Sequence, residues 1–187
     1  VLEESCRRIS ELEKAGLSGL RIAVNISLTQ FRDPQFVLQV KQLITRSKIK
    51  PGQIELEITE SMAMDEPQSV VQSLKTLKDF GVSIAVDDFG TGYSSLSYLR
   101  RLPIHELKLD RSFILDLEND ATSRALSDAV LRIGESLQLK VVAEGVEEEG
   151  QYQILKGQGY HVAQGYLLSK PLSSIDLEQW IQNAKTV

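Results

Sequence analysis

Asp87 and Asp88 stand side by side at the end of the apolar stretch Val82-Ser83-Ile84-Ala85-Val86, and the loop that follows carries Gly90 and Gly92. Two adjacent carboxylates at the end of a buried strand repel each other and lose hydration, which is costly unless a cation or substrate compensates the charge. The chemistry this suggests is a metal site. An isolated Asp-Asp pair serves as readily to cap a helix or a turn, but here the pair has company. Apolar runs also end in a polar residue at Asn25, Glu57, Lys108, Glu144 and Gln164. Carboxylate and amide oxygens suit hard cations, and a strand-end lysine suits negative charge developing on phosphate.

The runs that must position these side chains are Ile22-Ala23-Val24, Ile54-Glu55-Leu56, Ile84-Ala85-Val86, Glu106-Leu107, Val141-Val142-Ala143 and His161-Val162-Ala163. Between them apolar residues recur at three and four positions, the period of a helix. Asp33-Pro34 opens one such stretch, with a stripe of Phe36, Val37, Val40, Leu43 and Ile44. Asp65 and Pro67 open the next, with Val70, Val71, Leu74 and Leu77 facing inward and Gly81 just past its end. Leu126, Ala129, Val130, Ile133 and Leu137 form a third stripe, and a last helix begins near Ser173 or Ser174 and is expected to bury Ile175, Leu177, Trp180 and Ile181.

Strands alternating with helices argue for parallel strands joined by right-handed crossovers. An open sheet gathers ligands at one switch point, whereas here every strand contributes a polar residue. The expected fold is therefore α/β, a TIM-like (β/α) barrel with its site at the C-terminal ends of the strands. No Gly-x-Gly-x-x-Gly or Walker-type loop is present to hold a nucleotide at a helix N-terminus.

Six strings now carry a resemblance over nearly the whole chain: Val24-Asn25-Ile26-Ser27, Glu55-Leu56-Glu57-Ile58-Thr59-Glu60, Asp87-Asp88-Phe89-Gly90-Thr91-Gly92-Tyr93-Ser94-Ser95, Leu107-Lys108-Leu109-Asp110-Arg111, Glu144-Gly145-Val146-Glu147 and Gln164-Gly165-Tyr166. In this order and spacing they resemble the EAL-domain cyclic di-GMP phosphodiesterases of bacterial second-messenger signalling. The resemblance implies hydrolysis of one phosphodiester bond of cyclic di-GMP to linear pGpG, with two Mg²⁺ or Mn²⁺ ions. It makes Asn25, Glu57 and Asp87 metal ligands, with Asp87 bridging both ions and Asp88 serving the second. Lys108 is placed near the attacking water and phosphate, Glu144 holds water or metal, and Gln164 positions water or substrate at the far wall. Asp110 and Arg111 become substrate contacts, and Glu147 a supporting carboxylate. Glu60 is expected to hold the loop from Phe89 to Ser95, which the resemblance links to a homodimer partner.

The chain also departs from that family. It contains no Glu-Ala-Leu triplet, and it shows six of the eight strands a barrel needs. The signature strand, with its metal-binding glutamate and a nearby substrate-contacting arginine, is expected upstream of Val1. Residues 1–187 are accordingly expected to form one EAL-type domain, truncated at its N-terminus and cut from a longer signalling protein. Six strands would leave two sheet edges unpaired, and a missing carboxylate would impair catalysis. A noncatalytic cyclic di-GMP receptor or interaction module is the alternative.

Composition narrows the remaining classes. At 187 residues and 42% hydrophobic content the chain can bury one sizeable core. A formal charge of -5 opposes binding to DNA or RNA polymers. No apolar run is long enough to span a bilayer and no signal peptide is visible, so a cytoplasmic domain is expected, with any membrane anchor of the parent outside this window. Cys6 is the single cysteine, and neither His105 nor His161 has the company of a zinc site. Glu147-Glu148-Glu149 fits the first turn of a helix. The least regular connection, from Asp110 to about Thr122 with Ser112-Phe113-Ile114, is expected to pack its apolar residues over the barrel rim, with a dimer contact as the alternative.

Overall fold

Residues of period two and period 3.6 alternate along the chain, and the structure follows them element by element. It is a computed structural model that describes residues 1–64, 68–92 and 96–184. The strands are β1 (Ile22–Asn25), β2 (Ile54–Thr59), β3 (Ser83–Phe89), β4 (Glu106–Leu109), β5 (Lys140–Glu144) and β6 (Val162–Gln164). They form one sheet in sequential order with every neighbouring pair parallel, curled into a half-barrel. This is the expected TIM-like arrangement of six strands.

The helices are α1 (Leu2–Lys14), α2 (Leu28–Phe31), α3 (Phe36–Ser47), α4 (Glu60–Met64), α5 (Gln68–Phe80), α6 (Leu96–Leu99), α7 (Ala121–Ser136), α8 (Glu149–Gln158) and α9 (Ser174–Ala184). The expected opening of α5 at Asp65 and Pro67 lies outside the described residues. Single 3₁₀ turns stand at Pro51–Gln53 and Arg111–Phe113.

Successive side chains of a strand point to opposite faces, and here the two faces have different jobs. Ile54, Leu56, Ile58, Ile84, Val86, Leu107 and Leu109 are buried in the core with Val40 and Ile44 of α3 and Val70, Leu74 and Leu77 of α5. Glu55, Glu57, Glu106 and Lys108 alternate with them and line a concave cavity of about 320 Å³ together with Ala23, Val142 and Gln164. Branched aliphatics commonly fill a barrel interior. This one is polar.

Two helices bury only part of the face their sequence suggests, Val130, Ile133 and Leu137 of α7 and Leu177 and Ile181 of α9 packing as expected. On α7 the buried residues are Ser127, Val130, Leu131 and Gly134, while Leu126 is 46% exposed and Ala129 is exposed too. Val130 and Leu131 share the buried face with small residues, and at Gly134 a side chain would overlap the Val141 methyl on β5. On α9 Ile181 is buried and Leu177 partly so, but Ile175 is 71% and Trp180 45% exposed. That helix packs on the α1 side, through Leu12, Leu17 and Leu20 and the ion pair Arg8–Glu178 at 2.6 Å. One neighbour covers one side of a helix. Among the described residues no helix is long and apolar enough to cross a membrane.

Candidate active site

Residues two apart on a strand share a face, and the register uses this to gather polar side chains on the concave rim. Asn25 pairs with Glu57, Thr59 with Asp87, and Glu144 with Gln164. Glu57 is level with Ala85 on β3, so Asp87 stands two residues further out on the same face. Glu144 likewise stands two residues beyond Val142, the partner of Lys108.

Asp88 would normally face the opposite way from Asp87. The β3–β4 register shifts between Val86 and Phe89, and Asp88 takes a left-handed φ of 55°. Aspartate tolerates that conformation better than most residues with a Cβ. The turn is tied by Asp88 N–H to Asp87 Oδ1 (3.1 Å) and by Thr91 Oγ1 donating to the Asp88 carbonyl (2.9 Å). As a result, one oxygen each from Asp87, Asp88 and Glu144 lie within 4.8 Å of one another. An oxygen-only donor set fits a hard divalent cation.

Lys108, 5% exposed, sits at the centre. Its Nζ is 2.5 Å from Glu57 Oε1, 2.5 Å from Glu144 Oε1 and 3.2 Å from Asp87 Oδ1. Burial works against the ammonium charge, but the hydrogen bonds to Glu144 and Glu57 outweigh it and hold the group above its ordinary range. Burial raises Glu57 against the pull of Lys108, and pushes Glu144 up to about 7. Asp88 is raised by partial burial and by its neighbours Asp87 and Asp110. One ammonium thus faces an excess of carboxylates, and a divalent cation would relieve the remainder.

Around this centre the other expected residues take distinct places. Glu60, 1% exposed, accepts hydrogen bonds from Gly90 N–H (2.7 Å) and Gly92 N–H (3.2 Å). The rest of that loop, Tyr93 to Ser95, lies outside the described residues. Gln164 lines the concave cavity with Glu57 and Lys108, whereas Asn25 is exposed at the end of β1. Asp110 is occupied locally, its Oδ1 accepting from Ser112 N–H and Oγ at 3.0 and 2.5 Å. Arg111 pairs with Glu147 at 3.0 Å.

Sequence reasoning missed the floor of the cavity. Glu55 is paired with Arg21 (2.8 Å) and accepts from Ser83 Oγ (2.7 Å), and Glu106 is paired with Lys140 (3.0 Å). The signal was present in Glu55-Leu56-Glu57 and Glu106-Leu107-Lys108, where charge recurs at every second position. Phe113, expected to pack at the rim, lies with its ring against Gly90, a contact the sequence did not specify.

The EAL domain family model matches residues 1–171, and the chain belongs to that family. MucR of Pseudomonas aeruginosa, a bifunctional diguanylate cyclase/cyclic di-GMP phosphodiesterase, is 42% identical over 177 residues, which make up 95% of this chain and 26% of MucR. The chain spans about a quarter of the length of the curated relatives it matches. A structure of the Pseudomonas MucR phosphodiesterase in complex with c-di-GMP superposes with a TM-score of 0.89 at 42% identity, covering 94% of this chain and 71% of that one. BlrP1 of Klebsiella pneumoniae, solved as a manganese/cyclic di-GMP complex, is 29% identical with a TM-score of 0.83, covering 92% of this chain and 44% of that one; it was also solved with calcium.

Proposed function

We propose that this chain carries most of the site for metal-dependent hydrolysis of cyclic di-GMP to linear pGpG in its longer parent, with turnover by the isolated chain impaired. The observation that supports this best is the cluster of Glu57, Asp87 and Glu144 around the buried Lys108, with Asp88 folded back beside Asp87. Asn25, Glu57, Asp87 and Asp88 would hold two Mg²⁺ or Mn²⁺ ions, with Asp87 as the shared ligand. Bound there, the ions supply an activated water and neutralise the leaving oxygen of an in-line displacement at phosphorus.

The remaining work falls to the side chains. Lys108 keeps its proton and offers positive charge to the phosphate. Glu144 and Gln164, paired on neighbouring strands, hold water and substrate across the cavity. Asp110 and Arg111 meet the substrate at the rim, with Glu147 steadying the Arg111 guanidinium. The domain works as a homodimer within a multidomain signalling protein.

The test measures cyclic di-GMP binding and Mn²⁺-dependent turnover by the parent protein that contains this chain, beside its Asp87→Asn variant. Turnover that Asp87→Asn abolishes, with the variant still folded by circular dichroism, supports the reading. Substantial turnover by Asp87→Asn sinks the bridging ligand. Binding without turnover in the unaltered parent moves the reading to a receptor, and neither activity overturns both.

A further inference from the structure

One segment, immediately after β4, touches both loops that bring acidic groups to the site. Phe113 ends the 3₁₀ turn Arg111–Phe113, and a Cβ built on Gly90 would lie 2.6 Å from its ring. Gly90 has a φ of +103° and directly follows Asp87-Asp88-Phe89. At the other end of the turn the aliphatic stem of Arg111 occupies the place a side chain at Gly145 would need, and Gly145, with a φ of +72°, directly follows Glu144. Further along, the Glu118 carboxylate fills the same kind of space beside Gly150, the second residue of α8.

The segment is itself firmly seated. Ile114 and Leu117 are both 0% exposed, and Asp110 N–H donates to the Phe89 carbonyl at 3.3 Å. Phe113 is half-buried against the main core, and Arg111 is held to Glu147 at 3.0 Å. Three side chains of one short stretch therefore meet three glycines, two of them next to the carboxylates.

We infer that the Arg111–Phe113 turn is a spacer that sets the separation between the Asp87–Asp88 pair and Glu144, with Phe113 as a positioning residue for the Asp87–Asp88 turn. This rests on the divalent-cation reading above. Groups that hold ligands from outside typically change metal affinity about 10–100-fold when removed. Small ions such as Mn²⁺ demand tighter ligand spacing than Ca²⁺, whose coordination is flexible. Loosening the spacer therefore changes the preference between ions as well as the affinity.

The experiment titrates this chain with Mn²⁺, following the electron paramagnetic resonance of the free ion, and repeats it with Ca²⁺ in competition. Phe113→Ala is expected to weaken Mn²⁺ binding about tenfold or more at unchanged stoichiometry and to lose less for Ca²⁺. Leu115→Ala, on the exposed side of the same segment, is expected to change neither. Should Phe113→Ala fail to fold, Phe113→Leu carries the same expectation in smaller measure. An unchanged Mn²⁺/Ca²⁺ ratio in a folded Phe113 variant makes the ring simple packing and overturns the spacer alone. Failure of the unaltered chain to bind Mn²⁺ overturns the cation reading, and the spacer with it.

Discussion

Replacing Lys108 with methionine removes its buried ammonium and leaves Glu57, Asp87 and Glu144 facing one another. Asp87 and Glu144 have oxygens within 4.8 Å, and two unit charges at that distance repel by about 3.5 kcal/mol at an effective dielectric of 20. Removing one partner of a buried ion pair costs a comparable amount, about 3–5 kcal/mol. Urea unfolding in EDTA at pH 8 should show a loss of that order.

The loss should shrink at lower pH. Burial already raises Glu144 from an ordinary 4.5 to about 7, so the folded state binds the extra proton. Its contribution to stability is full below 4.5 and fades as pH rises to about 7. In Lys108→Met that window extends further upward. Mn²⁺ should also stabilise the variant more than the parent, because the ion no longer competes with the ammonium for the same oxygens. A variant as stable as the parent at pH 8 in EDTA would refute the reasoning.

Two other outcomes are expected. Glu60→Ala leaves the Gly90 and Gly92 amides without their carboxylate and should cost about 2 kcal/mol by denaturant unfolding, with a larger fall in turnover than in cyclic di-GMP affinity; unchanged turnover would reduce Glu60 to a turn cap. Asp120 caps α7 by accepting from Thr122 and Ser123 N–H, bonds that hold its carboxyl below the ordinary 3.8. Its contribution is present above 3.8 and lost as pH falls through the depressed value, so Asp120→Ala should lower the melting temperature at pH 7 and converge with the parent in strong acid.

What could be read from the residues follows from which constraints are local. The strand ends at Asn25, Glu57, Asp87, Lys108, Glu144 and Gln164 were legible because apolar runs and a terminal polar residue are adjacent in sequence. Their mutual heights were not, since the two-residue offsets that bring Asp87 and Glu144 to Lys108 belong to the sheet register. At Leu126 and Gly134 of α7 the sequence misled because hydrophobicity ranks Leu126 above Gly134, while close approach to Val141 ranks them the other way. Ile175 and Trp180 promised burial that α9, lying on α1, has too few neighbours to provide. The left-handed turn at Asp88 has no signal in an aspartate, although the glycine at 90 hints at it.

The division of β2 and β4 into an apolar outer row and a polar inner row has a bearing on how this chain can vary. In β2, Leu56 and Ile58 belong to the core and Glu55 and Glu57 to the cavity. A point substitution in the inner row alters the chemistry and leaves the outer row in place. Inserting or deleting one residue inside the same strand would turn every later leucine into the cavity and every glutamate into the core. Descent in such a sheet proceeds by exchange of side chains, while changes of length are confined to the loops at either end.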